Sequence, residues 1–83
     1  MLACLRSTQF IYPDKSGSIY VELRRHNKEF IVTQRIPRLR IMHSVRKGTL
    51  NQARSIWLET IHRYEDSGMK RKDLLISGFH EES

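Results

Sequence analysis

The apolar and polar positions divide the chain into four short alternating runs followed by one run of helical period. The clearest alternation is Ser18–Arg24. There Ile19, Val21 and Leu23 fall on one side and Tyr20, Glu22 and Arg24 on the other, the period of a half-buried strand. The connection "RHNK" contains Asn27, the residue in it best able to take a positive φ, and predicts a hairpin. A return strand follows over 29–35, with Phe30, Val32 and then Ile36 opposite Ile31, Thr33 and Arg35. Pro37 has no N–H for a ladder and marks a turn, a bulge or an edge. Residues 38–46 alternate again. Leu39, Ile41, His43 and Val45 share one side; Arg38, Arg40, Met42, Ser44 and Arg46 share the other. Upstream, 8–12 reads as a first strand. The turn "PDKSGS" after it has Pro13 to preset φ, Asp14 to bond nearby backbone and Gly17 for conformations closed to other residues.

The helical run spans about 50–67. Thr49 and Gln52 have the spacing of a capping box. Leu50, Ala53, Trp57, Ile61 and Tyr64 recur at intervals of three and four, which lays them along one stripe. Trp57 and Tyr64 are expected to fill the space between helix and sheet. Glu59 and Arg63 stand at i,i+4 in the favourable order, and Gly68 is a natural C-terminal stop. In the tail, 69–83, "KRKD" reads as a solvated tether, "LLISGF" as a short strand or a segment packed under the helix, and "HEES" as a frayed end. The expected architecture is a single α+β domain over 1–83. It has a small antiparallel sheet of three to four strands packed against one C-terminal amphipathic helix.

Composition narrows the class. The chain has 83 residues, 39% hydrophobic and 29% charged, which suits one small globular domain with a compact core. It contains no apolar run of the roughly 18 residues that a membrane span needs. The opening "MLACLR" lacks the charged and apolar regions of a secretion signal. Cys4 is the sole cysteine; it excludes an internal disulfide and suits a reducing, cytoplasmic setting. A small buried thiol is the simpler role for it than a reactive one.

The net charge of +6 is unevenly placed. Residues 21–48 hold eight basic and two acidic side chains, whereas 1–20 carry +1 and 49–83 carry −1. A field concentrated in the middle third points to phosphate or an acidic surface as partner.

Catalytic and metal chemistry find little support. The histidines, His26, His43, His62 and His80, lie 17 to 19 residues apart, without zinc-ligand spacing. His43 falls on an apolar side, where a hydrogen-bonded core histidine is a better reading than a catalytic base. Four isolated glycines make no phosphate loop, and carboxylates are sparse where the basic residues crowd. No cofactor, metal or catalytic residue is implied.

The basic sheet is the candidate site. If Leu39, Ile41 and Val45 face the helix, then Arg38, Arg40 and Arg46 share the opposite face with Ser44. Arg24 and Tyr20 point the same way, and Arg35 joins them if its strand keeps phase. Arg25 and Lys47 complete the set. Guanidinium forks suit phosphates and guanine edges, so double-stranded DNA is the first reading. Arginine on a sheet face also serves simply to keep it soluble. An acidic protein surface docked on the same face, or paired with a strand edge, is the second reading. An RNA-directed role, including a small ribonuclease-type toxin using His26 or His43, is the third, with Tyr20 as the one evident aromatic for base stacking.

The words "GSIYVELRRHNKEF" and "GTLNQARSIWLETIHRYE" carry a resemblance. In their order of hairpin, arginine-bearing third strand and capped helix, residues 18–67 resemble the three-stranded-sheet-plus-helix DNA-binding domains. These are the arm-type domains of phage tyrosine integrases and the plant ethylene-response factors. The resemblance implies a sheet lying in the major groove and braced from behind by the helix. Arg24, Arg25, Arg38, Arg40 and Arg46 would be its contacts, with Ala53 and Trp57 as packing residues. The chain departs from the pattern in lacking the second-strand tryptophan of the plant domains and in carrying Pro37 before the third strand. No recombinase domain lies within these 83 residues, so the resemblance implies an accessory or regulatory factor.

Overall fold

The computed structural model describes residues 2–74. They form an α+β fold: one antiparallel sheet of five strands with a single long helix across one face. The strands are β1 (Leu2–Ile11), β2 (Ser18–His26), β3 (Glu29–Ile36), β4 (Ile41–Lys47) and β5 (Lys70–Leu74), in the spatial order β4-β3-β2-β1-β5. The helix α1 (Leu50–Asp66) joins β4 to β5. The sheet thus has one strand more than the three to four expected. Most of "LLISGF" and all of "HEES", with His80, lie outside the described residues.

The central hairpin follows the alternation. Ile19, Val21 and Leu23 are buried, Leu23 pairs with Val32, and Asn27 turns the chain at φ 57°. In the preceding turn the Ser16 N–H donates to the Asp14 carboxylate at 2.9 Å, as the turn chemistry suggests. The positive φ falls on Lys15 (60°), not on Gly17.

Three expectations need correction, each for a physical reason. The first strand begins at Leu2 rather than residue 8. Its register against β2 shifts between Cys4 and Arg6. A bulge of this kind places an extra residue in one strand and breaks the period of two, so alternation alone does not reveal the first half. Second, the strand expected from 38 starts at Ile41. Pro37–Leu39 form one turn of 3-10 helix, closed by Arg40 at φ 55° and by its N–H donating to the Pro37 carbonyl at 3.0 Å. Third, "KRKD" is no tether but most of β5, paired along β1 from Ile11↔Lys70 to Ser7↔Leu74.

The core lies between α1 and the middle of the sheet. Phe10, Ile19, Val21, Leu23 and Val32 meet Ala53, Trp57 and Ile61, with Met69 closing one end. Thr49 caps α1, its hydroxyl accepting from the Gln52 N–H at 3.2 Å, and Gly68 stops it at φ 82°. Tyr64 packs against Phe10 with ring centroids 5.4 Å apart and donates its hydroxyl hydrogen to Gln34 at 2.6 Å. Thr60, polar in the sequence, is also buried, because its hydroxyl bonds the Ile56 carbonyl one turn back. Arg63 contacts Thr60 and Tyr64 rather than Glu59.

At β4 the helix covers the sheet only in part. Ile41, His43 and Val45 do fall on the helix side, through pairing with Ile36, Gln34 and Val32. Yet Ile41 is 46% exposed, His43 is exposed and Val45 is only half-buried. Leu39, expected in the core, is 59% exposed on the 3-10 turn. A strand at the sheet's edge lacks the second layer that its pattern implies.

Candidate nucleic-acid interface

Directly paired residues of neighbouring antiparallel strands project to the same face, so the register sorts the basic side chains. On the face away from α1, Gln9 pairs with Tyr20 and Lys72, and Tyr20 pairs with Arg35, which pairs with Met42. This is a row across all five strands: Lys72, Gln9, Tyr20, Arg35, Met42. The parallel row Ser7, Glu22, Thr33, Ser44 lies beside it, and Cys4, Arg24, Ile31, Arg46 beyond that. Lys70, opposite Ile11, adds a cation at the other end. Among the described residues no helix or strand covers this face.

Four predicted residues therefore share the open face: Tyr20, Arg24, Arg35 and Arg46. Arg35 keeps the phase asked of it, and its guanidinium lies over the Tyr20 ring, 4.5 Å from the centroid. Arg24 donates to both carboxylate oxygens of Glu22, at 2.9 and 2.8 Å. Glu22 is largely sheltered there, its side chain 14% exposed. Arg46 reaches Glu29 at 3.5 Å, with both side chains mostly in solvent, an arrangement that contributes little. Small hydroxyl groups fill the centre: Thr33 and Ser44 bond each other at 3.1 Å, and Gln9 donates to Ser18 at 2.8 Å.

The other four predicted residues are elsewhere. Arg25 pairs with Phe30, and Phe30 with Lys47, so both cations are on the helix side of the sheet. Alternation places neighbours on opposite faces, and Arg25 directly follows Arg24. Arg38 is on the 3-10 turn, its guanidinium 4.9 Å from the Tyr12 ring and donating to Ser16 at 2.9 Å. It borders the face at its β1–β2 turn. Arg40 occupies the left-handed position that ends that turn. The expected row Arg38–Arg40–Arg46 is therefore not a row; only Arg46 belongs to the strand face.

Lys70 and Lys72 are the contributions that sequence reasoning missed. The available signal was their spacing of two within a charged stretch, with Arg71 and Asp73 taking the opposite face. Arg71 lies over Trp57 at 5.9 Å and pairs with Asp73 and Glu65, while Asp73 accepts from Thr8 at 3.0 Å. The open face thus presents Arg24, Arg35, Arg46, Lys70 and Lys72 against Glu22 and Glu29. Arg35, Lys70 and Lys72 have no carboxylate partner among the described residues.

Cys4 stands at the margin of this face, its thiol directed to the Arg6 carbonyl (3.4 Å) and to Glu22 (3.9 Å). Burial, reinforced by the Glu22 charge, pushes the thiol's pKa up, which keeps it protonated and unreactive. The described residues contain no group of three or more histidine, cysteine or acidic side chains able to hold a metal ion. Among the described residues no helix is long and apolar enough to cross a membrane. Compared with models of protein families, with curated proteins and with solved structures, the chain matches none of them.

Proposed function

We propose that this chain is a small nucleic-acid-binding protein, accessory or regulatory in role, that holds double-stranded DNA on the open face of its sheet. The observation that carries this reading is the face that no described helix or strand covers. Among the described residues it has five Lys and Arg side chains and two carboxylates, and both carboxylates are engaged by arginines of the same face. Three cations remain to meet phosphate.

Dimensions favour a particular seating. Strands lie about 4.8 Å apart, so the five span about 19 Å, wider than the major groove of about 12 Å. The three strands β2–β4 span about 10 Å and fit. They bring Tyr20, Arg24, Arg35 and Arg46 toward the bases, with Thr33 and Ser44 small enough for close approach. Lys70 and Lys72, on the far side of β1, then meet the phosphates that border the groove. The sheet strands and helix named in the resemblance to integrase arm-type and ethylene-response domains are the same β2–β4 and α1. Base stacking of the RNA kind is less well served, because Tyr20 is the one aromatic ring of this face among the described residues and Arg35 already lies over it.

The test is a titration of isotope-labelled protein with a mixed-sequence duplex, a single strand, a structured RNA and polyglutamate, repeated across salt concentrations. Duplex binding should fall with salt, each phosphate contact adding about −0.9 to the log–log slope, and should shift residues of the open face. Unmoved face resonances with duplex would end this reading. Polyglutamate binding as tightly as duplex at matched charge would replace DNA with an acidic protein partner.

A further inference from the structure

The two edges of the sheet are built differently. β5 is short, and Lys70, Arg71, Lys72 and Asp73 make it charged along nearly its whole length, which discourages pairing with another strand. β4 is longer, and its first five residues, Ile41 to Val45, include no Lys, Arg, Asp or Glu. It lacks proline and shows no register shift against β3. Three of the four large apolar side chains most exposed among the described residues sit at this edge: Leu39, Ile41 and Met42, the last 70% exposed. The outer edge of β4 pairs with no strand among the described residues.

We infer that β4 is a docking edge that accepts an extended acidic peptide segment of a partner protein as a sixth strand. Charge selects the occupant. The apolar centre of β4 is flanked by Arg40 on one side and by Arg46 and Lys47 on the other, and the strand itself has no carboxylate. A second copy of this chain paired antiparallel along β4 would bring both sets of cations into one seam, with only the long Arg46–Glu29 contact to offset them. A segment with β-branched residues in its middle and Glu or Asp at its ends satisfies both features. Its apolar side chains lie beside Ile41, Met42 and Val45, and its carboxylates beside Arg40, Arg46 and Lys47. The Arg46–Glu29 contact is long and exposed, so Arg46 is available. Backbone pairing supplies affinity and the side chains supply selectivity. The edge shares the side chains of Met42 and Arg46 with the open face, but its backbone pairing is made outside that face, and its occupation does not depend on DNA binding.

The probe is the peptide acetyl-Glu-Glu-Val-Thr-Val-Ile-Val-Glu-amide, titrated into isotope-labelled full chain in the absence of nucleic acid. Saturable shifts of the amides of residues 41–47 are expected. Replacing the three Glu by Lys should weaken binding by about tenfold or more, three favourable cross-strand charge pairs having become repulsive. Of two peptides N-methylated at alternate residues, in opposite phases, one should lose binding. Four results would overturn the inference: no saturable shift, equal affinity for the Lys peptide, no effect of N-methylation in either phase, or shifts confined to the open-face residues of β1, β2 and β5. Broadening of the β4 amides that grows with protein concentration alone would make a second copy the occupant and overturn it equally.

Discussion

Glu22 controls more of the open face than any arginine on it. Both its carboxylate oxygens accept from Nη2 of Arg24, and it lies against the Cys4 thiol and is itself well sheltered. Replacing it by Gln keeps the shape and removes the charge. Arg24 is then freed for phosphate and the local repulsion of an anion disappears. Glu22→Gln should therefore tighten duplex binding several-fold and steepen the salt slope by about 1, while costing about 1 kcal/mol of stability because the pair is partly exposed. The same change removes one of the causes that raise the Cys4 thiol's pKa. Alkylation of Cys4 should be slow in the natural chain and faster in the variant, as rates measured between neutral and mildly alkaline pH would report.

Among the secondary structures, α1 is held to the sheet by a few specific side chains rather than by apolar area alone. The Tyr64 hydroxyl crosses the interface to Gln34, and burial raises its pKa. Tyr64→Phe leaves Gln34 without its donor at a half-buried position and should cost about 1 kcal/mol in urea unfolding. The folded state holds that phenolic proton more tightly than the unfolded chain does. The associated stability is therefore fully present below the ordinary tyrosine pKa of about 10 and declines as pH rises above it. Tyr64→Phe should flatten that decline. The helix was legible because cap, stripe and stop all agree over one continuous segment. β5 was not, because a strand of Lys, Arg and Asp has no apolar face to reveal it. It pairs along β1, and Thr8 and Trp57 meet its side chains from distant parts of the chain.

For the protein taken together, the charge that matters is charge on one side of the sheet. Lys70→Ala with Lys72→Ala should reduce the magnitude of the salt slope of duplex binding by about 2, one for each lost contact. Arg25→Ala with Lys47→Ala removes the same formal charge from the helix side and should leave the slope nearly unchanged. Equal losses from both pairs would mean that binding follows net charge and not the face. A salt series by fluorescence anisotropy separates the two.

Local pattern was sufficient wherever a residue's environment is set by its near neighbours. The Ser18–His26 and Glu29–Ile36 hairpin, the phase of Ile41–Lys47, the Thr49 cap and the α1 stripe all follow from periods of two and 3.6 and from turn chemistry. These alone place Tyr20, Arg24, Arg35 and Arg46 together. Strand order and coverage are properties of contacts between distant segments, and no local period records them. Tertiary pairing brought Lys70–Leu74 back against Leu2–Ile11, set two lysines beside the arginines and left Ile41–Lys47 at an edge with its apolar side chains in solvent. The backbone at Pro37–Arg40 took Arg38 and Arg40 off the face, because a ring without an N–H and a left-handed residue close a turn more readily than they extend a ladder.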